Sequence, residues 1–218
     1  MLRTQIKHWL ANALAQSPLR VAQIRKLARY LSPQDTLLLD YPVDPKPRWT
    51  TSSPHAGIQR ILARGRELYR TRLESFIRYV PELSRIKSNK NEVESEEPCW
   101  INGGWMPALD GVALYGFIAD LKPARYFEVG SGYSTKFACR AKKDRGLNME
   151  ILSIDPHPRA EIDALCDRVI RQPLEHVDLK LFKQLRENDI LYIDNSHRAF
   201  MNSDVTAALL DVLPLLAS

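Results

Sequence analysis

From Arg125 onward, short β-rich runs alternate with stretches of helical periodicity, and this alternation constrains the fold more than any other feature. Residues 126–129, 150–154, 168–171 and 189–193 are predicted strands. Residues 134–143, 159–166, 179–187 and 203–213 are predicted helices. Repeated βα units imply a parallel sheet covered on both faces, because parallel neighbours need a crossover long enough to hold a helix. No run of about 18 consecutive apolar residues occurs, which argues against a membrane-spanning helix.

The sharpest local signal is Tyr126-Phe-Glu128-Val-Gly130-Ser131-Gly132-Tyr-Ser134. A strand runs into two glycines and a helix opens immediately after. Glycines there permit a tight turn with positive φ and let a ligand approach the backbone at a helix N-terminus. Asp155 ends the next predicted strand, 23 residues beyond Gly132. In a doubly wound sheet that places a carboxylate beside the glycine bend, where it can accept ribose hydroxyl protons. A dinucleotide would fit the same layout. However, its fingerprint wants a third small residue where this chain has Thr135, and Glu128 would repel a pyrophosphate. A carboxylate at that place suits a cationic ligand, such as the sulfonium and ammonium of S-adenosylmethionine.

Asp194 and His197 fall at the carboxyl end of the fourth predicted strand, where open α/β sheets place their ligands. The pair is of the kind that holds a divalent metal, although a full site needs more ligands than these two. Alternatively, His197 could act as general base on an acceptor, its unperturbed pKa of about 6.5 being suited to that work. His157, between Pro156 and Pro158, reads as a loop residue. Trp100 and Trp105 either cover the site as a lid or pack the preceding segment against the sheet.

The N-terminal half is different in character. Residues 1–98 hold 17 Lys and Arg against 10 Asp and Glu, so the basic balance belongs to an N-terminal arm. Its first 34 residues, free of acids, have apolar residues at helical spacing and are expected to form a packed helical hairpin. Residues 57–80 give the clearest helix, with an apolar face that includes Ile58, Leu62, Leu73 and Ile77, and Pro81 as its stop. Its other face shows Arg60, Arg64, Arg66, Arg70 and Arg78, a solvated stripe without the interleaved aromatics of a nucleic-acid surface. No nucleic-acid partner is therefore expected. Residues 88–98, with Glu92, Glu94, Glu96 and Glu97, read as a linker, which sets the expected domains at 1–98 and 99–218. Three widely spaced cysteines (Cys99, Cys139, Cys166) fit reduced thiols, and hence a cytoplasmic protein.

Taken together, residues 122–135, 154–159 and 189–197, with the lead-in Trp105-Met-Pro-Ala-Leu-Asp110, resemble the class I S-adenosylmethionine-dependent methyltransferases of methyltransferase family 24. The resemblance covers about residues 99–218. It implies a Rossmann-like doubly wound α/β fold and methyl transfer to an oxygen, or less readily a nitrogen, of a small-molecule acceptor. It also implies that Glu128, Gly130, Ser131 and Gly132 hold the methionine part of the cofactor and Asp155 its ribose. Residues 172–175 would flank the adenine, and Asp194 and His197 would carry the chemistry. Family members continue into a fifth strand with a His-Asp motif and two more strands. Here the chain reaches Ser218 where the fifth should begin. The expectation is thus a sheet of about four strands, ordered 3-2-1-4, with an N-terminal helical arm, its C-terminal strands missing and strand 4 an open edge. Such an edge invites a second copy or a partner subunit. Two rival readings remain at this stage: a non-catalytic module working through that partner, and an NAD-dependent oxidoreductase.

Overall fold

The computed structural model describes residues 46–158 and 161–216; the expected hairpin of the first 34 residues lies outside them. The chain divides into two compact units between Arg60 and Ile61. In the described part of the first unit, the Trp49 ring meets His55 edge-on at 4.8 Å between centroids and Arg48 lies over its face at 4.5 Å. Helix α1 spans Ala56–Arg64.

The second unit holds helices α2 (Arg66–Ser75), α3 (Val80–Leu83) and α4 (Ala108–Leu121), then a sheet of β1 (Arg125–Val129), β2 (Glu150–Ile154), β3 (Arg168–Ile170) and β4 (Ile190–Ile193). Helix α5 (Tyr133–Asp144) links β1 to β2, and α6 (Asp204–Ala207) opens the C-terminal helical run. The sheet is wholly parallel in the order β3-β2-β1-β4, as the sequence predicted.

Register explains the layering. Tyr126 pairs with Ile151 and Phe127 with Leu152, and successive side chains leave opposite faces. Tyr126 and Ile151 join the core built by α4 and α5, with Leu114, Tyr115, Ile118 and Phe137. Phe127, Val129, Leu152 and Ile154 join the other core, with Leu174, Phe182, Ala208 and Val212. Central strands buried on both sides are mostly apolar, broken here by the buried Glu128 in β1 and Ser153 in β2.

Several sequence expectations require correction. The helix predicted over residues 57–80 breaks at Gly65, and a 3-10 turn (Phe76–Tyr79) follows α2. Pro81 stands in the first turn of α3, where its missing N–H costs nothing, so it starts a helix instead of stopping one. Most of the predicted apolar face is exposed, including Ile58, Leu62, Leu73 and Ile77; the chain enters the core only at Phe76. Between β2 and β3, where a helix was expected over residues 159–166, the described residues hold a single 3-10 turn (Asp163–Leu165). The segment before β4 is also 3-10 (Leu179–Gln184), capped by the Asp178 carboxylate accepting from the Lys180 N–H at 2.9 Å. After α6 the helix widens into a π turn (Ala208–Val212) and resumes as Leu213–Leu216; Pro214 there lacks the N–H for a regular ladder.

The acidic segment around residues 93–97 is not a free linker. The Lys136 ammonium donates to the Ser95 carbonyl, and Glu97 pairs with Arg140 at 3.3 Å and Lys143 at 3.2 Å, strapping it to α5. On the far side of α4, Asp120 gathers Arg72 at 3.4 Å, Arg78 and the Tyr79 hydroxyl, tying the N-terminal helices to the sheet's cover. Replacing Asp120 by Ala leaves the Tyr79 hydroxyl and two guanidiniums without their acceptor. The expected loss is about 1–3 kcal/mol in urea unfolding, with the m-value unchanged.

Candidate functional site

A cavity of about 420 Å³ lies at the carboxyl ends of the strands, within the range of small-molecule sites. Its wall comes from the turn after β1 (Gly130 to Ser134), the tip of β2 (Ile154 to His157), the turn after β3 (Pro173 to Glu175) and the tip of β4 (Asp194 to Ser196). Phe200, Ser203, Asp204 and Trp105 complete it.

Gly130 shapes the bend. Its φ is +82°, and a Cβ there would run into the Asp194 carbonyl. Its N–H donates to the Ile154 carbonyl at 3.0 Å, while the Asp194 N–H donates to the Val129 carbonyl at 2.9 Å. The tips of three strands therefore converge on one glycine. At Gly132 a Cβ would meet no protein atom within 4 Å, so open space lies beside the backbone where it lines the cavity.

Asp155 works from the β2 tip. Its Oδ2 accepts the Ser131 N–H at 2.8 Å and its Oδ1 the His157 N–H at 2.7 Å. Each oxygen keeps a lone pair for a hydroxyl. Below the bend, the Ser131 and Ser153 hydroxyls are 2.7 Å apart. Arg171 donates to the Ser153 hydroxyl at 3.1 Å and to the Asp155 carbonyl at 3.0 Å, and also binds Asp163. This network fixes the Asp155 backbone.

Glu128 is placed otherwise than its neighbours in the motif. It is 0% exposed and outside the cavity wall. The Tyr126 hydroxyl donates to its Oε1 at 2.9 Å and the Thr135 hydroxyl to its Oε2. Thr135 in turn accepts from the Gly132 N–H at 3.1 Å. Glu128 thus buttresses the bend and the start of α5 from beneath. Burial pushes its carboxyl up to about 7 from 4.5, against the opposing pull of hydrogen bonds from Ser134, Thr135 and Tyr126; the charge of Asp194 pushes the same way as burial.

Asp194 lines the cavity and is 41% exposed on its side chain. The Nε2 of His197 stands 3.0 Å from its Oδ1, but His197 is 76% exposed and not among the lining residues. His197 takes φ +58°, a left-handed conformation uncommon for a non-glycine residue. Among the described residues, no group of three His, Cys, Asp or Glu comes together to hold a metal.

The sequence missed several wall residues. His157 lines the cavity although its Pro-flanked setting suggested a plain loop. Ser203 and Asp204, read as a helix start, both cap α6 and face the cavity; Asp204 accepts from the Ser196 N–H at 2.8 Å and its hydroxyl at 2.6 Å. Phe200 had no periodic signal at all. The two tryptophans separate: Trp100 packs on Phe137 at 5.4 Å, while Trp105, 55% exposed, sits on the cavity wall. Glu175, within the segment expected near an adenine, has a buried Oε2 with no hydrogen-bond partner among the described residues.

Comparison with known proteins agrees with the region but is partial. The sequence model of a family described as a methyltransferase domain matches residues 127–218, supporting methyl transfer as the general chemistry. An uncharacterized protein of Archaeoglobus fulgidus is 36% identical over 95 residues; the match covers 41% of this chain and 43% of that protein, less than half the relative's length. No solved structure matches. No described helix is long and apolar enough to cross a membrane.

The Glu128 carboxyl makes stability depend on pH with a definite sign. Its folded pKa lies above the unfolded one, so the folded chain keeps a proton that the unfolded chain releases between 4.5 and about 7. That contribution is complete below 4.5 and fades as pH rises through about 7, by on the order of 3 kcal/mol. Melting curves of the native chain should therefore lose more stability across this window than those of Glu128→Gln; parallel curves would contradict the assignment.

Proposed function

We propose that the chain binds S-adenosylmethionine in this cavity and transfers its methyl group to an oxygen or nitrogen of a small molecule. The carrying observation is the glycine bend whose backbone opens onto a cavity beside Asp155, within the region matched by a methyltransferase domain. The residues present suit that cofactor. The open space at Gly132 admits close approach to the backbone, and the partnerless Oε2 of Glu175 suits an amino donor such as that of an adenine. When bound, the cofactor would supply an electrophilic methyl on a positively charged sulfur.

Each residue then has a task. Gly130, Ser131 and Gly132 cradle the methionine part, and Asp155 accepts the ribose hydroxyls with the lone pairs its backbone partners leave unused. Glu128 contributes from below by holding Thr135 and the Gly132 N–H in place. The acceptor's proton leaves through Asp194, which stands in the wall, with the His197 Nε2 3.0 Å from its Oδ1. Most of the rate enhancement in such a displacement comes from alignment, worth about 7–11 kcal/mol in favourable cases.

Calorimetric titration with S-adenosylhomocysteine tests this without knowing the acceptor. The native chain should bind it. Asp155→Ala should weaken binding by at least about tenfold, equivalent to ~1.4 kcal/mol. Equal affinity in the variant would remove Asp155 from the site. A titration with NAD that gives heat while S-adenosylhomocysteine gives none would transfer the site to the dinucleotide reading.

A further inference from the structure

The cavity is unbalanced in charge. Four carboxylates line it (Asp155, Glu175, Asp194 and Asp204), and its described lining includes no Lys or Arg. Neighbouring cations are already held: Arg171 by Ser153, Asp163 and the Asp155 carbonyl, and the Lys136 ammonium by the Ser95 carbonyl and by the Tyr133 ring, which it overlies at 4.8 Å. Arg198, in the β4 loop, is not part of the wall. Low-dielectric walls focus such a field, so it selects ligands by sign.

The four acids divide between two ends. Asp155 and Glu175 follow β2 and β3, the end given to ribose and adenine under Proposed function, on which this inference rests. Asp194 and Asp204 border the opposite end, after β4. A cofactor with one net positive charge leaves that end negative. Three aromatic rings border the same cavity; the Tyr133 ring already carries Lys136, while Trp105 and Phe200, near the carboxylates, add a second source of attraction for a cation through their faces. The Asp204 oxygens are already fixed by the Ser196 and Val205 N–H groups, so the charge is held in position before any ligand arrives.

We propose that the methyl acceptor is a small molecule bearing a protonated amine, drawn to the β4 end of the cavity by Asp194 and Asp204 and bordered by Phe200 and Trp105. Acceptors carrying a phosphate or carboxylate are repelled at that end. The methylated atom can be a separate hydroxyl on the same molecule; the amine is the recognition group.

Three probes that share a phenol ring and differ in the charge of the tail separate the possibilities: tyramine, 4-ethylphenol and 3-(4-hydroxyphenyl)propionate. Each is titrated into the chain saturated with S-adenosylhomocysteine, with saturation-transfer NMR as the readout. Tyramine should bind at least about tenfold more tightly than 4-ethylphenol, a difference of ~1.4 kcal/mol, with the propionate weakest. Asp204→Asn should shrink the tyramine preference to within about threefold, and added salt should do the same to a lesser degree. Because Asp204 also caps α6, Phe200→Leu provides a second variant, which should weaken tyramine more than 4-ethylphenol. An equal or inverted ranking, or no binding by any probe while S-adenosylhomocysteine binds, overturns the amine assignment alone. Failure of S-adenosylhomocysteine to bind overturns the cofactor reading and this inference with it.

Discussion

Everything at the carboxyl end of the sheet depends on the backbone of Gly130. Only a residue without a Cβ can hold φ +82° while lying against the Asp194 carbonyl. That close approach lets β4 dock beside β1 with its tip level with the bend, and it sets Asp194 facing the same cavity as Asp155. A side chain at this point would push the β4 tip outward and separate the two carboxylates. The site is therefore a product of strand convergence before it is a product of any individual functional group.

Two supports hold the bend from different directions. From the β2 and β3 side, the Arg171, Ser153 and Ser131 network anchors the turn and the Asp155 backbone together. From beneath, Glu128 and Thr135 fix the entry to α5. Buried polar networks of this kind stabilise only when each member is satisfied, and here each named hydroxyl and carboxylate has a partner. The opposite arrangement holds at the cavity surface, where among the described residues the buried Oε2 of Glu175 has no hydrogen-bond partner.

Much of this was legible in the sequence. Strands were readable because short β-rich runs alternate with helical periodicity, and the sheet order followed from the family resemblance. Gly130, Gly132 and Asp155 were readable because a turn and a strand tip fix their positions along the chain. The rest depended on distances between segments far apart in sequence. Periodicity could not tell that Gly65 would interrupt a helix, or that the apolar stripe of residues 57–80 would face outward until Phe76. Nor could it show that Glu128 leaves β1 on the α4–α5 face, although the alternation of the strand, once paired with Ser153, requires it. Trp100 and Trp105 share composition and neighbourhood, and only packing separates a core ring from a cavity ring. Phe200 and Asp204 reach the wall through a loop whose course no local pattern encodes.

The buried Glu128 has a thermodynamic corollary for whatever enters above it. A carboxyl whose ionisation is balanced near neutrality is a proton reservoir beneath the cavity. Any visitor bringing positive charge close to it favours the ionised form, so occupancy and deprotonation become linked events. Loading the site would then discharge a fraction of a proton into the medium, and the apparent heat of association would vary with the ionisation enthalpy of the buffer chosen.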